Sequence, residues 1–190
     1  MAFILAVSLL FLLFPVTALG QHTQRQGPST ASGTQTPAED PALEKFKHAI
    51  AVQASEEQVA VFRRMINSAE ATRQQAHQLH LQSSAGGDSI ELEHKATGLL
   101  HGVDQAQSDC RDFRKSLTDS QEAELKEFTR KLTKADEAVS RAEKSVSEVL
   151  QQGPLDTAKL ASAARHLESA LSKYRADQVD LGKEMGIQLR

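Results

Sequence analysis

The chain has 190 residues, 39% of them hydrophobic, with 22 Lys and Arg against 25 Asp and Glu for a net charge of −3. That length suits one domain, and the slightly acidic balance excludes the basic footprint of a nucleic-acid-binding protein. A single cysteine excludes a disulfide framework within the chain.

Residues Phe3 to Leu19 are apolar apart from Ser8 and Thr17, and the run closes on Ala18-Leu19-Gly20. An apolar core followed by small residues at −3 and −1 is a secretory-signal pattern, although no Lys or Arg precedes it. Residues 1–20 are therefore expected to be a cleaved signal peptide, placing the mature chain in a periplasmic or secreted, extracytoplasmic location. The alternative is an N-terminal membrane anchor, for which the run is short and which Pro15 would interrupt.

From Gln21 to Pro41 the chain is rich in Gln, Thr, Ser, Gly and Pro, with no aliphatic side chain larger than Ala. Such a composition buries too little apolar surface to offset ordering entropy, so 21–41 is expected to be a disordered leader. Residues 42–190 carry a helical period throughout and no strand-like alternation.

Helices are expected over about 42–53, 55–82, 88–115, 118–151 and 155–187. The breaks come at Ser83–Asp88, which contains Gly86-Gly87, and at Gln151–Pro154, which contains Gly153-Pro154. No Gly or Pro separates Lys115 from Asp119, so that junction reads equally as a turn, a kink or a continuous helix.

The run Leu92, Ala96, Leu99, Val103, Ala106, Cys110, Phe113, Leu117 steps by four and three without a miss. Leu125, Phe128, Leu132, Ala135, Val139, Ala142, Val146 and Val149 do the same. Leu160 to Met185 repeats the pattern with one polar interruption, Gln178, and Phe62 to Leu79 follows it more weakly. Alternating steps of three and four mark a heptad seam. Charged and polar residues beside the seams, including Gln107 and Asp109, make the stripes narrow. The expected fold is therefore all-α: long antiparallel helical hairpins in a coiled-coil-like, elongated bundle, either thin or completed by a second copy.

Two helix starts share one pattern. Thr118-Asp119-Ser120-Gln121 places Thr at the N-cap and Gln at N3, and Ser55-Glu56-Glu57-Gln58 has the same arrangement; both are capping boxes. At this offset Phe62 aligns with Leu125 and Met65 with Phe128, as a faint internal duplication would. Leu117-Thr118-Asp119-Ser120-Gln121 resembles the LTxxQ motif of the Spy/CpxP-like periplasmic proteins, and Ala54-Ser55-Glu56-Glu57-Gln58 looks like a degraded second copy. The resemblance covers roughly residues 42–150. It implies a small helical protein that dimerises into a cradle and acts as an ATP-independent chaperone or envelope-stress regulator. The mild acidity and the extra helix after Pro154 depart from that pattern.

His77, His80 and His94 lie about the Gly86-Gly87 turn, where His77 pairs with His94 if the helices fold back; with Glu91 nearby they are candidate metal ligands, set against solvated histidines. Cys110 on a seam is either a buried thiol acting as a small hydrophobe or half of an inter-chain disulfide. Gly98 with Gly102, and Gly182 with Gly186, permit close helix contact or a bend, or mark weak helices.

No catalytic constellation or phosphate loop is present in the sequence, and neither an enzyme nor a cofactor is expected. The resemblance and the stripes point to a protein that binds protein clients or itself, as a homodimer, with Phe62, Met65, Leu125 and Phe128 as candidate anchors. The alternatives are a structural dimerisation module of the envelope and a histidine-based metal sensor.

Overall fold

The computed structural model describes residues 41–189, and every element assigned among them is a helix. The expected signal peptide and nearly all of the leader lie outside these residues. The helices are α1 (Pro41–Val52), α2 (Glu56–Ser84), α3 (Ser89–Lys115), α4 (Asp119–Glu124), α5 (Lys126–Gln151) and α6 (Thr157–Glu184).

Local chemistry sets these limits. Ser55, Asp88, Thr118 and Asp156 each cap a helix by accepting backbone N–H bonds in its first turn. Three helices, α2, α5 and α6, are followed by a glycine of positive φ, and at two of them the chain folds back on the helix end. Gly86 has φ +74°, with Gly87 N–H returning to Gln82 O at 3.1 Å; Gly186 has φ +71°, with Ile187 N–H returning to Gly182 O at 2.8 Å. Both are Schellman endings, which satisfy carbonyls that a helix terminus otherwise leaves open. Gly186 thus closes α6.

The ambiguous junction at 115–119 is a true break, with α3 ending at Lys115 and Thr118 capping the next helix. The single helix expected over 118–151 is interrupted only at Leu125. There the backbone shifts to φ −91° and ψ +10°, yet Leu125 N–H still reaches Gln121 O and Thr129 N–H still reaches Leu125 O.

α2 packs on α3 and α6, and α5 packs on α6 and, less extensively, on α3. The four long helices therefore close an up-down-up-down bundle from one chain. Ser55, the 116–118 turn and the C-terminal end of α6 gather at one end; the Gly86 and Gly153 turns lie at the other. The short α1 packs on α4 at the first end.

In this closure the seams of the four long helices face one another within one chain. Each stripe faces an axis that three other helices also face, so Phe62, Met65, Leu125, Leu132, Leu160, Leu167, Leu171 and Tyr174 are all essentially inaccessible. The stripes are also wider than their composition suggests. Gln107 and Asp109, polar flanking positions, are buried because each has a partner across a helix interface. Gln107 Nε2 donates to Ser140 Oγ at 2.8 Å, and Asp109 Oδ1 lies 3.2 Å from Arg64 Nε and accepts from Gln105.

Candidate functional site

The two capping boxes meet. In each, the hydroxyl accepts from the N3 backbone N–H at 3.2 Å and the Gln Oε1 accepts from the cap backbone N–H at 3.0 Å. Because α2 and α4 start at the same end of the bundle, Gln58 and Gln121 then face one another. Gln58 Nε2 donates to Gln121 Oε1 at 2.8 Å and Gln121 Nε2 donates to Gln58 Oε1 at 3.2 Å.

The second amide proton of each also crosses to the other motif, from Gln58 to Ser116 O at 2.6 Å and from Gln121 to Gln53 O at 3.1 Å. Ser116 and Gln53 each stand two residues before their own cap, so the network repeats at the 63-residue offset between the glutamines. The duplicated pattern in the sequence thus corresponds to a local two-fold arrangement. Leu117 is half-buried against the core, as is Ala54 in the other motif.

Beside this pair lies the surface that α1 presents. Of its twelve residues only Val52 is buried, while Leu43, Phe46 and Ile50, spaced along one face, are 50%, 64% and 58% exposed. A groove of about 400 Å³ runs between α1 and the C-terminal segment, lined in part by Phe46, Ile50, Val59, Met185 and Ile187. A second, of about 570 Å³, lies on the other side of Ile50 over Gln53, Ser116 and the two glutamines. The Leu43–Phe46–Ile50 stripe is the feature that the sequence reading missed. Its three-and-four spacing was visible, but a helix of twelve residues with no Gly or Pro after it gave no sign of being left outside the bundle.

The proposed anchors fall differently. Phe62, Met65 and Leu125 are core residues with no exposed surface, which removes them as contacts for a partner. Phe62 stacks edge-on against Phe113, with ring centroids 5.1 Å apart. Phe128 alone is partly exposed, with Lys131 Nζ over its ring at 5.5 Å.

The histidines do not converge. His77 Nδ1 turns to Glu168 on α6 at 3.0 Å, His80 Nδ1 pairs with the carbonyl of Ala161 at 3.1 Å, and His94 is exposed on α3. Pairing across the turn puts His77 and His94 at one level, but side-chain direction is set by the helix phase, and α6 claims His77. No group of three or more His, Cys, Asp or Glu side chains among the described residues is arranged to hold a metal ion.

Cys110 is a free, buried thiol that burial pushes up in pKa, so it is protonated at neutral pH. It shares the bundle interior with Tyr174, Asp136 and Gln178. Burial also raises the Asp136 carboxyl, and Asp136 Oδ1, the Tyr174 hydroxyl and both Gln178 amide atoms lack a hydrogen bond of good geometry.

Glu70 and Glu168 link α2 to α6. Glu70 accepts from Arg73 and pairs with Arg175 at 2.9 Å, and Arg73 also reaches Glu168. The Arg73 guanidinium, with Gln74 and Arg175, holds the Glu70 carboxyl down at about 2.

Compared with known proteins, the chain matches no family model, no curated protein and no solved structure. No helix among the described residues is long and apolar enough to cross a membrane.

Proposed function

We propose that this chain is an exported, non-enzymatic protein of the Spy/CpxP-like kind, which binds exposed apolar or amphipathic segments of other proteins without nucleotide. The observation that carries this reading is the apolar stripe Leu43, Phe46 and Ile50 on α1, left on the surface between two grooves. Exposed apolar side chains grouped on one helix face are the usual mark of a contact surface. The paired Thr/Ser-x-x-Gln boxes beneath it support the family part of the reading. Their amides are saturated by hydrogen bonds, which suits an architectural role better than a chemical one. A Cys110 thiol held protonated in the core likewise favours a protein that does no nucleophilic chemistry.

The test is suppression of aggregation of a chemically unfolded client, without ATP, by the wild-type chain and by a Phe46→Ser/Ile50→Ser variant. The wild type suppresses scattering at near-stoichiometric ratios and the variant, equally stable, loses most of that effect. Equal suppression by both removes α1 as the binding surface; no suppression by folded wild type at large excess removes the chaperone reading.

The second reading, an envelope dimerisation module, draws on the same stripe, which a second copy could cover. Sedimentation separates the two: self-association abolished by the Phe46→Ser/Ile50→Ser change, with no effect on clients, selects the module.

A further inference from the structure

His48, near the middle of α1, lies between two carboxylates from different helices. Its Nδ1 is 2.8 Å from Glu124 Oε2, at the end of α4, and its Nε2 is 2.8 Å from Glu184 Oε1, at the end of α6. An ionised carboxylate only accepts hydrogen bonds, and a neutral imidazole has one N–H to give. Both contacts form together only when the ring is an imidazolium. We propose that His48 is a pH-operated latch: protonated, it straps α1 to α4 and α6, and on losing its proton it lets α1 swing away from the motif end of the bundle.

The rest of α1 is lightly held by burial. Apart from Val52 the helix buries no side chain, and helices with so little buried surface open locally at small cost. At its C-terminal end the chain is tied at the 53–54 link, through Gln121 Nε2 to Gln53 O and Ala54 N–H to Met185 O. Those bonds form a hinge, so α1 can leave without disturbing the glutamine pair. Release exposes Val52 and opens the groove shared with Met185 and Ile187, two otherwise buried apolar side chains.

Among the described residues the charged groups around the ring are few. α4 contributes Glu124, with Asp119 and Glu122 in its first turn; α6 contributes Glu184 and Lys183, the latter tied to Asp180; α1 itself contributes Glu44, Lys45 and Lys47, with Glu44 and Lys47 paired. The two carboxylates that hydrogen-bond the ring raise its pKa above the ordinary histidine value, Glu184 first and Glu124 next. A raised pKa in the latched state means that the strap holds fully below the ordinary value and is lost as pH rises through the raised one.

The experiment is hydrogen exchange of the full chain, read for the peptide covering α1 from about pH 5 to about pH 9 and corrected for intrinsic exchange. Protection of α1 is expected to fall by about tenfold for each unit by which the His48 pKa is raised, while α2 and α6 keep theirs. In His48→Gln the fall disappears and α1 is weakly protected throughout. Glu184→Gln, which removes one charge but not the contact, moves the midpoint to lower pH. Constant α1 protection across the range in the wild type overturns the latch, as does an unchanged fall in His48→Gln. Nitrogen shifts of the His48 ring give an independent reading: a neutral ring at pH 5 to 6 in the folded chain also overturns it.

Discussion

Gln58 and Gln121 hydrogen-bond each other in both directions, and between them they use every donor and acceptor site of the two amide groups. Each Oε1 accepts from its own cap N–H and from the other Nε2; each Nε2 donates to the other Oε1 and to a backbone carbonyl in the other motif. Both side chains are buried, at 6% and 4% exposure, so the accounting has to close within the protein. It does so only with an amide at both positions.

Gln121→Glu tests this directly. Glutamate serves a capping box as well as glutamine does, so an isolated helix would not lose by the change. In the bundle it removes the donors to Gln53 O and Gln58 Oε1, buries a charge with no cation paired to it, and turns a carboxylate oxygen toward those two acceptors. The expected loss is about 3 kcal/mol by urea denaturation, with Gln58→Glu similar. A loss no larger than that of an ordinary surface substitution would mean that the two motifs are independent caps.

The caps themselves are separable from the pair. Thr118→Ala removes the acceptor for Gln121 N–H and is expected to cost about 1 kcal/mol, as is Ser55→Ala. An unchanged denaturation midpoint for Thr118→Ala would show that the helix start at 119 holds without its cap.

Gly182→Ala and Gly98→Ala should move stability in opposite directions. A Cβ on Gly182 would come within 2.4 Å of Phe62 Cζ, and that ring is fully buried against Phe113, so the change overpacks the core at about 1–3 kcal/mol. A Cβ on Gly98 meets nothing within 4 Å, and its helical backbone gains about 0.5–1 kcal/mol from alanine. Phe62→Leu combined with Gly182→Ala should recover part of the first loss. Thermal melting of the three variants decides both predictions.

Acid should weaken the α2–α6 interface through Glu70. Its carboxyl lies at about 2 in the folded chain against 4.5 ordinarily, so it stabilises above the ordinary value and that contribution is lost as pH falls from 4.5 toward 2. Glu70→Gln is expected to lower stability at neutral pH and to flatten the decline across that window, because the group whose protonation drives it is gone. The free energy of unfolding at a series of pH values reports both effects. A decline of unaltered steepness in the variant assigns the acid limb to other carboxylates.

The sequence by itself determined the helical character and the ends of the helices, because those are local. Ser55, Thr118, Asp88, Gly86 and Gly153 act on backbone groups within a few residues of themselves, and the three-and-four steps register which face of each helix is apolar. It also placed the two capping boxes, but left the junction after Lys115 open between a turn, a kink and a continuous helix.

Only the tertiary structure decided what each face meets. Phe62, Met65 and Leu125 look the same in sequence whether they line a core or a docking surface; closure of four helices around one axis made them core, and left Phe46 and Ile50 of α1 outside. Asp109 and Gln107 read as polar residues flanking the seams, and partners on other helices offset the cost of their burial. His77 took Glu168 in place of His94, and Gln121 rather than glutamate became necessary only when Gln58 arrived opposite. Each of these depends on groups far apart along the chain, and the free energy that chooses among such pairings comes from burial and hydrogen-bond completion in the assembled bundle.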